Sequence, residues 1–80
     1  MKIYQLCRKG GDALGYGYFA TIDGAKHAAQ AESNIEIVWC TDVAIANHRG
    51  FYAEMGVVSF QQSSYGNYFP YYIQEHEVQP

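Results

Sequence analysis

The side chains here that can ligate a transition metal or act as strong nucleophiles are Cys7, Cys40, His27, His48 and His76. A zinc site brings its ligands in close pairs such as C-x2-C or H-x3-H, because two ligands from one turn fix half the tetrahedron before the chain returns with the rest. These five stand singly between positions 7 and 76, so their spacing predicts no metal site. Cys7 and Cys40 fall in strand-forming runs, where a thiol packs as a small hydrophobe. Spacing leaves a Cys-His nucleophilic pair open, since such partners meet in space and not in sequence. No P-loop and no G-x-G-x-x-G follows a strand, so nothing is predicted to cradle a phosphate. Glu75-His76-Glu77 sends two carboxylates to one side of a strand and the imidazole to the other, which separates acid from base. The expectation is a chain that is not an enzyme and carries no cofactor.

The aromatic residues say more. Eight of the 80 residues are tyrosine, and Tyr65, Tyr68, Tyr71 and Tyr72 fall within eight positions. Strand alternation puts Phe69, Tyr71 and Ile73 on a core-facing side and Tyr68, Tyr72, Gln74 and His76 on the opposite one. Gln61 to Tyr68 has the composition of an antibody-like contact loop, in which tyrosine gives contact area at low entropy cost and Ser, Gly and Asn supply adaptable hydrogen bonds. Cross-strand packing, a protein interface and stacking of single-stranded bases all remain open for these rings. Base stacking is disfavoured because it needs a cationic groove, and residues 41 to 80 set Arg49 alone against Asp42, Glu54, Glu75 and Glu77. The candidate protein-binding residues are therefore Tyr65, Tyr68 and Tyr72 as anchors, with Asp42, Glu54, Glu75 and Glu77 supplying charge.

These side chains need a sheet to hold them. Residues 2 to 8 read as a strand ending at a Lys9-Gly10-Gly11-Asp12 loop, and residues 16 to 21 as its hairpin partner. Thr21 or Asp23 caps a helix whose apolar stripe, positions 22, 25, 28 and 29, is mostly alanine. An alanine stripe lets a helix approach closely but cannot form a core alone, so a sheet must supply the bulk. Residues 35 to 40 alternate as a strand with Ile35, Ile37 and Trp39 on one face. Residues 42 to 47 fit a short strand or one helical turn, and strand is the reading adopted. Val57 to Gln61 forms a strand beside Gly56, together with or separate from Phe51 to Met55. Tyr68 to Val78 is the last strand, with Pro70 favouring an edge position. The predicted fold is α+β: a mainly antiparallel sheet of five or six short strands with one Ala-rich helix packed on one face, in the order β-β-α-β-β-β.

Length and charge bound the rest. Eighty residues make a single domain, 1–80, that buries roughly 60 to 65% of its surface on folding. Apolar residues at 49% are too many for a disordered chain, and no apolar run reaches the roughly 20 residues a membrane span needs. The net charge of −3 arises in the second half, and the nearest approach to a basic cluster is Lys2, Arg8 and Lys9. No direct nucleic-acid binding is expected. The start lacks the apolar run of a signal peptide, so a cytoplasmic chain with reduced cysteines is expected, either monomer or homodimer.

The hairpin, the helix opening on Thr21-Ile22-Asp23-Gly24-Ala25-Lys26-His27-Ala28-Ala29, and Trp39 closing a strand resemble small phage and prophage accessory proteins. Length, acidity and the lack of catalytic motifs are similar to those of type I anti-CRISPR proteins. The resemblance covers residues 16 to 40. It implies a phage protein and inhibitor that acts in the host bacterial cytosol by protein–protein interaction, binding a type I CRISPR surveillance complex (Cascade), a ribonucleoprotein, and blocking target DNA recognition. The alternative is a homo-oligomeric structural or regulatory module of phage origin, whose tyrosine face closes on a second copy.

Overall fold

A computed structural model describes residues 1–8, 17–48, 55–62 and 71–79. In chain order the elements are β1 (Lys2–Arg8), β2 (Gly17–Phe19), α1 (Ile22–Glu32), β3 (Trp39–Cys40), α2 (Val43–His48), β4 (Val57–Gln61) and β5 (Tyr71–Glu77). The strands form one sheet in the order β2-β1-β5-β4-β3, with every neighbouring pair antiparallel. The fold is α+β, with five strands and two helices.

Helix α1 starts where the sequence places it. Thr21 is extended, at φ −135°, and its hydroxyl accepts the Gly24 N–H at 3.0 Å, with Asp23 in the positive first turn. Ala25 and Ala29 are fully buried, and their small side chains bring the helix down onto Leu6, Tyr71 and Ile73 across β2, β1 and β5. Phe19, Ile22 and Trp39 close the margins of this layer. Burial of Leu6 and Ile73 contributes about 1.5–3 kcal/mol each. On the same side of β4, Ser59 and Gln61 are buried, and neither Ser59 Oγ nor Gln61 Oε1 has a hydrogen-bond partner among the described residues.

Three expectations need correction. Residues 43–48 form a helix, not a strand. The Asp42 carboxylate accepts the N–H groups of Ala44 at 2.9 Å and Ile45 at 3.4 Å, and the Asp42 carbonyl accepts the Ala46 N–H at 2.9 Å, closing the turn. With Ala46 buried against Phe60 and Val57, α2 packs on the face of the sheet opposite α1. Next, β5 is no edge strand. Tyr71–Glu77 pairs along its whole length with β1 and, from Tyr72 to Gln74, with β4. Pro70 lies outside the described residues, so the ladder that is described contains no proline.

The strand expected over residues 35 to 40 shrinks to Trp39–Cys40, because β4 pairs only there. Ile37 is buried and Trp39 packs on the α1 side as expected, whereas Ile35, expected on the same face, is 67% exposed. The strand expected over Val57 to Gln61 is present as β4, and it begins after Gly56 with a bulge: Val57 lies opposite Gln74 and Ser59 opposite Ile73, which leaves Val58 as the extra residue. Met55 is not part of it, and residues 51 to 54 lie outside the described residues.

Candidate protein-binding face

The side of the sheet away from α1 divides in two. Over β4 and β3, α2 seals an apolar cluster of Ala46, Val57 and Phe60 flanked by Cys40, Ile45 and Tyr72. Over β2, β1 and β5 the outward positions are mostly polar: Tyr18, Ile3, Gln5, Gln74 and His76. Register places Gln5 opposite both Tyr18 and Gln74, and Ile3 opposite His76. A diagonal contact then joins β1 to β5, where His76 Nε2 and Gln5 Oε1 are 2.9 Å apart. Oε1 can only accept, so Nε2 carries the proton in this bond. From β2 the Tyr18 ring leans across Gln5 until its centroid is 6.2 Å from that of His76, tilted at 56°. Tyr18 remains 62% exposed. A phenol, an imidazole and a carboxamide are thus presented side by side on three adjacent strands.

The expected anchors fare unevenly. Tyr72 does lie on the side away from α1, but it is half-buried at the edge of the α2 cluster and hydrogen-bonded to its cross-strand neighbour Cys7. It is a packing residue more than a contact anchor. Tyr65, Tyr68 and Glu54 lie outside the described residues. The Asp42 carboxylate is occupied in capping α2. Glu75 meets Lys2 Nζ at 3.2 Å and Glu77 meets the N-terminal amine at 3.3 Å, on the α1 side of the sheet. Glu77 is exposed and Glu75 half-buried, and both charges are locally matched, so neither is a free source of steering. The Glu75 carboxylate raises the Lys2 amine through this bond.

The arrangement lacks the geometry of a reactive thiol. Cys7 is buried, its Sγ lies 3.8 Å from the Gln5 carbonyl, and burial pushes its ionisation upward against the smaller opposing effect of the Tyr72 hydrogen bond. Cys7 and Cys40 are both free thiols. Among the described residues no three His, Cys, Asp or Glu side chains converge to hold a metal ion, and no helix is long and apolar enough to cross a membrane.

Tyr18 and Gln5 stand outside the tyrosine-rich run at 65 to 72 that dominates the aromatic pattern of the sequence. The signal was present in Gly17-Tyr18-Phe19: with Phe19 turned to the core, alternation obliges Tyr18 to face outward. Comparison with known proteins finds no matching family model, no matching curated protein and no matching solved structure, so the face is interpreted on its own geometry.

Proposed function

We propose that this chain is a non-enzymatic protein-binding inhibitor whose contact surface is the Tyr18–Gln5–His76 face. The observation that carries this reading is the largely exposed Tyr18 ring set against His76 over a hydrogen-bonded Gln5. Rings with two rotatable angles give contact area at low entropy cost, while amide and imidazole groups supply adaptable hydrogen bonds. Exposed aromatics of this kind are the usual anchors of protein interfaces. The partner to test first is a type I CRISPR surveillance complex, on the strength of the resemblance over residues 16 to 40, with inhibition arising because the bound chain prevents recognition of target DNA.

The test is retention of the tagged chain on purified type I surveillance complexes, alongside Tyr18→Ala and His76→Ala variants with unchanged circular dichroism. Wild type is retained, and each variant weakens retention by about tenfold, the 1–2 kcal/mol expected of an anchor. Failure of every complex to retain the wild-type chain would remove this partner. Retention undiminished in both variants would remove this face. Light scattering at micromolar concentration distinguishes the module of phage origin that pairs with itself, since a dimer that buries Tyr18 would have no free face for another protein.

A further inference from the structure

The margin of the sheet beyond β3 carries a feature that the reading above leaves unused. The Gln30 carboxamide of α1 donates from Nε2 to the Ile35 carbonyl at 2.9 Å and accepts the Ile37 N–H on Oε1 at 2.9 Å. A carbonyl of one residue and the N–H two residues later are what the N–H and C=O of one residue of a neighbouring strand engage in a parallel ladder. A side chain therefore stands where the backbone of a sixth strand would lie. The ladder shows which side this is. Gln62 N–H reaches the Val38 carbonyl at 2.7 Å and Trp39 sits opposite Gln61, so residues 38 and 40 turn their peptide groups toward β4. Residues 35, 37 and 39 turn theirs outward. Gln30 occupies the first two, Ser33 Oγ also donates to the Ile35 carbonyl at 2.9 Å, and no described residue pairs with the outward N–H and C=O of Trp39.

What surrounds these groups indicates what would bind. Ile35, Val38 and Val43 are 67%, 56% and 52% exposed, three of the six large apolar side chains left open to solvent among the described residues. Glu32, Glu36 and Asp42 lie along the same stretch, and residues 31 to 48 contain no lysine or arginine.

We propose that this edge is a strand-docking site. An extended, lysine- or arginine-bearing segment of a partner protein adds to residues 35–40 as a sixth strand, bonds to the peptide groups of Trp39 and displaces the Gln30 carboxamide from residues 35 and 37. Backbone pairing supplies the attachment, Ile35 and Val38 supply apolar contact, and the Glu32 and Glu36 carboxylates select for positive charge. A second copy of this chain fits worse, because it would bring its own carboxylates against these. The site is separate from the Tyr18 face, and its success or failure is independent of that face.

The probe is a blocked eight-residue peptide of alternating lysine and valine, titrated into the isotope-labelled full chain and followed by amide NMR and hydrogen exchange. Binding shifts the amides of residues 35–40 and slows exchange at Trp39 by about tenfold. Gln30→Ala, which removes the competing carboxamide, lowers the Kd several-fold, and the same peptide with glutamate in place of lysine leaves the spectrum unchanged. The proposal is overturned if Trp39 shows no protection at about 1 mM lysine peptide in either wild type or Gln30→Ala. It is equally overturned if the shifts map to Tyr18 and His76, or if Trp39 becomes protected without peptide as protein concentration rises, which would assign the edge to a second copy.

Discussion

A single methyl group at Gly56 tests how the two halves of the sheet are joined. Gly56 has φ +79°, and a Cβ built there would lie 2.7 Å from the carbonyl oxygen of Glu75. That oxygen belongs to the backbone of the central strand, so no side-chain rotation relieves the overlap. The Gly56 carbonyl also accepts the Glu75 N–H at 2.6 Å, and any backing away of the turn stretches this bond. A left-handed conformation costs an L-residue about 1–2 kcal/mol, and weakening the hydrogen bond costs about 0.5–1.5 kcal/mol. Restricting the unfolded chain returns about 0.4–1 kcal/mol. Gly56→Ala should therefore lose about 2 kcal/mol from a domain whose whole stability is about 4–12 kcal/mol.

Urea unfolding followed by the fluorescence of Trp39, the single tryptophan, measures the change. Gly24→Ala is the control. That glycine lies in α1, where alanine is favoured by up to about 1 kcal/mol, offset in part by a Cβ 3.2 Å from Thr21 Oγ1. The same chemical change should leave its stability within about 1 kcal/mol of wild type. A Gly56→Ala protein within about 0.5 kcal/mol of wild type, or a Gly24→Ala protein equally damaged, would refute the assignment of the effect to backbone geometry at the β4 bulge.

Gln30→Ala should cost about 0.5–1.5 kcal/mol, since it removes the partner of the Ile37 N–H while the Ile35 carbonyl keeps its bond from Ser33 Oγ, with a few tenths regained in helix propensity. Gln30→Glu should cost a similar amount by setting a carboxylate against the Ile35 carbonyl, and in both variants the Ile37 amide should exchange faster; unchanged exchange would count against the bridging role. The Cys7 thiol ionises above its ordinary 9.0 because it is buried. The unfolded chain then gives up this proton first, so the thiol costs nothing at neutral pH and subtracts stability as pH climbs past that ordinary value. The urea midpoint of wild type should fall more steeply above about pH 9 than that of Cys7→Ala, and parallel curves would contradict the buried-thiol account.

Local chemistry made much of this fold legible. Thr21, the alanine stripe and the alternation of Ile37 with Trp39 each determine structure within a few residues, and each was read in place. So was the facing of β5, with Tyr71 and Ile73 turned to α1 and Tyr72 turned away. What escaped depended on distant partners. Val43 and Ile45 alternate as well in a strand as on a helical turn, and Asp42 tips the balance only because α2 has Phe60 and Val57 to cover. Pro70 suggested an edge, yet seven residues of β5 pair with β1, and no local signal announced that β1 would be that neighbour. The strand at 35–40 stops short because β4 pairs with it only at Trp39 and Cys40, a limit set by a distant partner that no periodicity records. The candidate face was half legible: His76 was placed on the correct side, while Tyr18 and Gln5 join it only through the β2-β1-β5 order.

The division of that face follows from dimensions. Five strands spaced about 4.8 Å apart make a sheet about 19 Å across, while a helix with its side chains is about 10 Å wide. Helix α2, a six-residue element, can cover β4 and β3 and little more. The remaining three strands must then either expose apolar side chains or present groups that tolerate both water and a partner. Gln5, Gln74 and His76 take the second course, and Tyr18 is the exception. Its ring lies largely in water although the hairpin places it beside a core-facing phenylalanine, and exposure of so large an apolar surface stabilises nothing in the isolated fold. Folding alone would be served as well by threonine at position 18. On the binding reading Tyr18→Thr should therefore leave the urea midpoint within about 0.5 kcal/mol of wild type while weakening partner retention; a large loss of stability with retention intact would make Tyr18 a packing residue and leave the face without its anchor.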